Sequence, residues 1–237
     1  MSATYDNNTF PPVVDRETWL RQCDELLARE KAHTREGDAI AAARRRLPMT
    51  PMRHVSVRGP HGDTPLTEVF EGRRMLIAYY HMWHDGEPFE DQCEGCTFST
   101  YHMQTLDYLH VRDVTYAVFT QGPYPESAEF AEFMGYPFPW YSAKDSDPAL
   151  ADGRDFGFIA CYLRDGDQVY ETYWTTDRGV EALMTSYHAL DLTVYGRQES
   201  WEDSPEGWPQ RSGHQWRLNG RPTAQWSRPG VAPATRA

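Results

Sequence analysis

Cysteine is scarce in this chain, with four among 237 residues, too few for a fold held together by disulfides. A chain of this length buries roughly 70% of the surface that its unfolded form exposes and needs no such scaffold. In a reducing compartment a close cysteine pair serves redox chemistry or metal binding more often than structure. Basic charge is scarce as well: 23 Lys and Arg against 35 Asp and Glu give a formal net charge of −12. Nucleic-acid surfaces need clustered cations, so no nucleic acid is expected as a partner. The one basic run, Arg44-Arg45-Arg46, falls at the end of an expected helix, where cations complement the helix dipole. No window approaches the roughly 18 apolar residues of a membrane span, so no membrane partner is expected. Met1 to Phe10 lack the apolar centre of a signal peptide, which makes the cytoplasm the expected location. Also missing are solenoid-length repeats, a Gly-rich phosphate loop and a Ser-His-Asp spacing.

What is present divides into four stretches. Residues 1–14 read as a flexible arm and residues 15–48 as an N-terminal helical extension. Asp15 is the expected N-cap, and Trp19, Leu20, Cys23, Leu26 and Leu27 recur at helical spacing. The pattern continues through Ile40 and Leu47 to Pro48, with Gly37 as a point where it can break. Such a helix can pack on the body of the protein or pair two chains as a homodimer. Cys23, on its apolar stripe, reads as a small buried hydrophobe.

Residues 49–195 form the expected main domain. A short strand at 55–57 and a short helix at 66–70 precede 75–82, a nearly continuous apolar run that predicts a buried central strand. Residues 83–92 form a polar loop, and a helix is expected from 97 to about 110. A second buried strand (114–119) and a helix (125–134) closed by Gly135 follow. After an extended piece at 138–142, Arg164-Asp165-Gly166-Asp167 marks a hairpin between strands at 158–163 and 168–175. Cys161 alternates with Ile159 and Leu163 and reads as core. A last helix is expected at 177–190. Residues 196–237 read as an irregular C-terminal tail that wraps the domain through Trp201, Trp208 and Trp216. The order strand, helix, strand, helix, hairpin, helix predicts an α/β, thioredoxin-like fold with helices on both faces of the sheet.

The chemistry concentrates at Gln92-Cys93-Glu94-Gly95-Cys96, between the central strand and its helix. Two thiols two residues apart at a helix start form and break a reversible disulfide. Free backbone N–H groups and the helix dipole stabilise a thiolate there. Cys93, the outer thiol, is the expected nucleophile, and Cys96, one turn in, the resolving thiol. The substrate would be a protein disulfide or a small-molecule disulfide, and no cofactor is required. Glu90, Asp91 and Glu94 crowd the pair and oppose the thiolate, so a weaker thiolate is expected than in a strongly oxidising enzyme. The alternative is a non-catalytic module in which His81, His84, Cys93 and Cys96 hold a structural zinc ion. Against it, His81 sits within the strand run. A peroxidase of the peroxiredoxin type lacks support, because Glu90 stands where that motif carries Thr.

The segments Leu76-Ile77-Ala78-Tyr79-Tyr80, Gln92-Cys93-Glu94-Gly95-Cys96-Thr97-Phe98, Phe138-Pro139-Trp140-Tyr141-Ser142 and Leu190-Asp191-Leu192-Thr193 resemble a bacterial thioredoxin-like family catalogued as domain of unknown function 899. Its members are described as predicted dithiol-disulfide oxidoreductases. The resemblance runs from the leading helix to about Trp208 and implies a thioredoxin-like fold. The chain departs from thioredoxin itself in its long dithiol loop and in Gln92, where thioredoxins carry Trp. A third departure is Phe156-Gly157-Phe158, where thioredoxins set a cis-proline against the dithiol. A family-like ending of His-Asp followed by Tyr is replaced around Leu218-Asn219-Gly220-Arg221.

Overall fold

The computed structural model describes residues 10–210, 217–228, 230 and 231. Asp15 caps the first helix, α1 (Arg16–Arg44), its carboxylate accepting from the Thr18 N–H at 2.8 Å and the Thr18 hydroxyl at 2.9 Å. Gly37 does not interrupt it. None of its 29 residues is buried, and Trp19, Leu20, Leu26 and Leu27 are all more than 40% exposed. Cys23 is only half-buried, because its stripe is not packed into the body. At the far end, the Arg44 guanidinium lies over the Tyr173 ring, 5.0 Å from its centroid.

The strands β1 (Thr50–Pro51), β2 (Ser56–Gly59) and β3 (Gly62–Pro65) lead to a one-turn helix, α2 (Leu66–Val69), and then to β4 (Met75–His81). Next come α3 (Glu94–Tyr101), α4 (Asp107–His110), β5 (Val114–Thr120), α5 (Tyr124–Met134), β6 (Trp140–Ser142) and α6 (Asp147–Leu150). The hairpin β7 (Phe158–Asp165) and β8 (Gln168–Thr175) follows, then α7 (Thr185–Leu190) and a small ribbon, β9 (Arg217–Leu218) and β10 (Arg221–Pro222). Eight strands form one sheet in the order β1-β8-β7-β4-β5-β6-β2-β3. In it β4 runs parallel to β5 and antiparallel to β7, and β7 is antiparallel to β8. A central parallel pair joined through a helix, with a C-terminal hairpin added on the other side, is the thioredoxin-like arrangement.

Alternation along β4 serves both faces of the sheet. Leu76, Ala78 and Tyr80 enter one core with Phe119 and Phe158, while Tyr79 enters the other with Tyr116, Phe130, Trp140 and Cys96. That explains why the strand reads as a continuous apolar run. Helix α5 ends as expected at Gly135, which takes φ +67° in the left-handed region.

Two helices are shorter than their spacing predicts. The helix after the dithiol stops at Tyr101 instead of near residue 110. The His102 ring bonds back to the Phe98 carbonyl (2.7 Å), and Gln104 donates to the Tyr101 carbonyl (2.7 Å). Side chains thus satisfy carbonyls that a longer helix would have used. The segment at 177–190 is a 3₁₀ stretch, Asp177–Leu183, followed by α7, with Met184 (ψ +73°) breaking the run. Val180, Met184 and Tyr187 still pack into the core, with Leu183 partly buried against it. Cys161, taken as core, is partly buried, and its burial raises the thiol pKa to about 11. No described helix is long and apolar enough to cross a membrane.

Candidate functional site

Cys93 is the N-cap of α3, the first helix after the central strand. Its Sγ accepts the Cys96 N–H at 3.4 Å, so the sulfur meets backbone donors that the helix leaves unused. Cys93 is half-buried, Cys96 is buried, and both are free thiols. The Cys96 Sγ accepts the Met82 N–H from the end of β4 at 3.3 Å. The strand end and the helix start therefore fix the pair from both sides.

This placement drives the two thiols apart in acidity. A hydrogen bond from Cys96 lowers the Cys93 pKa to about 6 against the opposing effect of partial burial. The backbone N–H groups of Cys96 and Gly95 and the charge of His84 assist. Cys96 is held well above the ordinary thiol range by its bond to Cys93, by burial and by the Cys93 charge. Tyr79 lies behind it: its buried phenol bonds to Cys96 and partly offsets that rise. The carboxylate-crowded loop thus carries an acidic outer thiol, although not one far below 6.

The loop itself is tied down. Gln92 is buried, accepts the His84 N–H at 2.9 Å, and donates to the carbonyls of His84 (2.8 Å) and Glu87 (3.0 Å). The residue that replaces the thioredoxin Trp therefore staples the long loop to its own base. From the tail, Arg217 lies 3.6 Å from both Asp91 and Glu94, and Arg221 lies 3.6 Å from Glu90. Sequence reasoning found neither arginine. The signal was available in Asn219-Gly220, the dipeptide of a two-residue hairpin. Both residues have positive φ (+50° and +83°), and they close the β9–β10 ribbon.

Cys93 opens onto a cleft of about 910 Å³ whose other walls include Phe156, Gly157, Trp174, Tyr187 and Trp201. Gly157 occupies the stretch where a proline was missing from the sequence. At φ +105° it donates its N–H to the Tyr80 carbonyl at 2.7 Å and carries the chain into β7. The arginines on this wall are engaged: Arg154 forms a two-pronged pair with Glu171 (2.7 and 2.8 Å), and Arg178 pairs with Glu181 at 2.9 Å. Among the expected tail anchors, Trp201 lines the cleft and Trp208 packs edge-on against Tyr195. Trp216 lies outside the described residues.

The alternative zinc set does not assemble. His81 is fully buried, with its Nδ1 2.7 Å from the Met82 carbonyl and its ring among Trp83, Phe130 and Trp140. Burial lowers its pKa to about 4. His84 lies outside, its Nδ1 3.0 Å from the Asp91 carbonyl. Among the described residues no three His, Cys, Asp or Glu side chains gather as metal ligands. His81, His84, Cys93 and Cys96 therefore do not fit a four-ligand site. The strand turns one histidine into the aromatic core while the loop carries the other out.

Among curated proteins none matches the chain. Of solved structures, a candidate thiol:disulfide interchange protein DsbE from Chlorobium tepidum superposes with a TM-score of 0.40 at 13% identity, over 60% of this chain and 95% of its own. Peroxidoxin BcpB from Mycobacterium tuberculosis gives 0.36 at 17% identity, over 60% and 99%. The bacterioferritin comigratory protein of Xanthomonas campestris gives 0.36 at 14%, over 58% and 96%. Residues 8–220 match the family described as bacterial protein of unknown function (DUF899), and the chain belongs to that family.

Proposed function

We propose that this protein is a dithiol–disulfide oxidoreductase acting on a protein or small-molecule disulfide. The observation that carries the reading is the asymmetry of the pair. Cys93 is an acidic thiol at a helix start and a cleft mouth, and Cys96 is a buried thiol held protonated behind it. In the forward direction the Cys93 thiolate attacks one sulfur of the substrate disulfide. A Cys93–substrate disulfide forms, and the other substrate sulfur leaves as a thiolate that takes a proton. Cys96 then gives up its proton and attacks the Cys93 Sγ, forming the Cys93–Cys96 disulfide and releasing the second substrate thiolate. Two electrons pass from the protein to the substrate. Cys96 gives up one proton, solvent supplies the second that the two substrate thiols need, and an external dithiol reduces Cys93–Cys96 to close the cycle.

A pKa near 6 has a calculable effect at pH 7. The thiolate fraction rises roughly 30-fold over that of a free cysteine, while intrinsic nucleophilicity falls roughly tenfold. The net gain is a few-fold, with the reduced form of Cys93 also stabilised. The Tyr79 phenol and the Met82 N–H can hold the Cys96 sulfur as it becomes anionic during resolution.

Thiol counting after equilibration in glutathione redox buffers tests the proposal. Two thiols are expected to disappear together in one reversible two-electron transition, leaving Cys23 and Cys161 reduced. Cys93→Ser should abolish the transition, and Cys96→Ser should accumulate a glutathione adduct on Cys93. Thiols that never pair across the range would refute the reading.

A further inference from the structure

The tail returns to the dithiol by a route that its own length does not require. Residues 217–228 lie more than a hundred positions after Cys93 and pack against α3 and the loop before it. The Gln225 side chain is buried and donates to the Phe89 carbonyl at 2.6 Å, and Tyr101 donates to the Ser227 carbonyl at 3.0 Å. These bonds fix the segment at both ends of the dithiol element. Between them, the β9–β10 ribbon aims two cations at the loop. Arg217 donates to the Glu90 carbonyl and pairs with Asp91 and Glu94, while Arg221 pairs with Glu90. Arg217 also donates to the Gly220 carbonyl at 2.9 Å, so the ribbon's own turn holds it in place.

The three carboxylates that these arginines meet are the ones that crowd Cys93 in the sequence. Uncompensated, they would oppose the Cys93 thiolate. We propose that Arg217, supported by Arg221, is a positioning residue for the dithiol. It straps the acidic loop to the start of α3 and offsets the carboxylate charge beside Cys93.

The inference rests on the dithiol reading only for its functional meaning; the strap and its charge balance stand by themselves. Among the described residues, the other groups around Cys93 do not perform this task. His84 adds a favourable charge from the loop, and Tyr79 and Cys96 sit behind as buried neutral groups. Across the cleft Arg154 and Arg178 are committed to Glu171 and Glu181, and Asp155, Asp177 and Glu199 add only negative charge. The arginines facing the acidic loop come from the tail. The ion pairs are partly exposed, with Arg217 at 34% and Glu94 at 16%, so each contributes little to global stability. Their effect is local, on the charge and geometry at one sulfur.

The test uses the full-length protein with Cys23→Ser and Cys161→Ser, so that the remaining thiol signals belong to the pair. Thiolate absorbance against pH gives the Cys93 midpoint, and iodoacetamide alkylation at pH 6 gives its reactivity. Arg217→Gln is expected to raise the midpoint by about one unit and slow alkylation several-fold, with the melting temperature nearly unchanged. Arg217→Lys should restore most of the midpoint, since it returns the charge. Adding Asp91→Asn to Arg217→Gln should also lower it again. If Arg217→Gln fails to fold, Arg221→Gln, which removes only the Glu90 pair, should move the midpoint in the same direction by less. Folded variants with unchanged midpoint and alkylation rate overturn the strap. The two readings fail separately. A wild-type protein that never cycles in glutathione buffers while Arg217→Gln still shifts Cys93 refutes the enzyme and keeps the strap. A protein that cycles without any such shift does the reverse.

Discussion

Helices α1 and α3 both begin on a capping side chain, Asp15 in one and Cys93 in the other. Beyond that they diverge. The first spans 29 residues, about 44 Å at 1.5 Å per residue, and buries none of them. The second has eight residues and buries Cys96, Thr97, Ser99 and Thr100. A cap and an apolar stripe are enough to make a helix, but what its residues do depends on what surrounds it. Cys23 stands inside α1, where backbone N–H groups are already spent on the helix. Cys93 stands at the mouth of α3, where donors remain free and a strand end presses on its partner. The same residue type is a bystander in one place and a nucleophile candidate in the other.

The largest difference expected between the two regions is in stability. Phe158 is fully buried under the sheet face opposite α3, stacked on Tyr80 with ring centroids 4.0 Å apart. Phe158→Ala should cost about 3–5 kcal/mol in urea unfolding. Leu26→Ala, at 51% exposure on α1, should stay within about 0.5 kcal/mol. A larger loss for Leu26→Ala that grows with protein concentration would mean that a second copy covers the stripe, and the contrast would then hold only for the isolated chain.

Acid should weaken the body of the protein through His81. The unfolded chain binds this proton near pH 6.5, whereas the buried ring takes it up only near pH 4. Between those values the unfolded state holds the extra proton, so stability falls as the pH falls from 6.5 to 4, by up to about 3 kcal/mol. Urea midpoints at pH 7 and 4.5 should differ less in His81→Phe than in the wild type. Parallel losses in both would show that the strand histidine is not the acid-sensitive group. The smallest effect belongs to the cap of α1. Asp15→Ala removes both bonds to Thr18 and should weaken only the start of the helix. It should appear as fraying of the first turns in amide exchange, with thiol chemistry unchanged. Altered Cys93 reactivity in that variant would mean that α1 and α3 are coupled after all.

Much of the fold could be read from the residues themselves. The continuous run of β4, the Gly135 stop of α5, the Asp15 cap and the β7–β8 hairpin are local patterns, set by side-chain periodicity and backbone preference. The dithiol and its seat at a helix start were legible for the same reason. Helix lengths after Cys96 and after Asp177 were not, because His102, Gln104 and Met184 end those runs through local bonding that apolar spacing does not record. Whether His81 and His84 meet the thiols was decided by the face of β4 from which His81 leaves and by the loop that carries His84 outward. That is a property of the sheet and its aromatic core.

The sequence by itself determined that two thiols stand one helical turn apart behind an acidic loop, since covalent spacing and helix geometry leave no other outcome. Only the tertiary structure decided how the inner thiol is buried and what surrounds the pair. The Met82 N–H reaches Cys96 from the end of β4, and the Tyr79 phenol lies against it from the same strand. The carboxylates beside Cys93 are met by Arg217 and Arg221 from more than 120 residues later. Electrostatic energy depends on distance through space, and distance along the chain says little about it until the chain has folded.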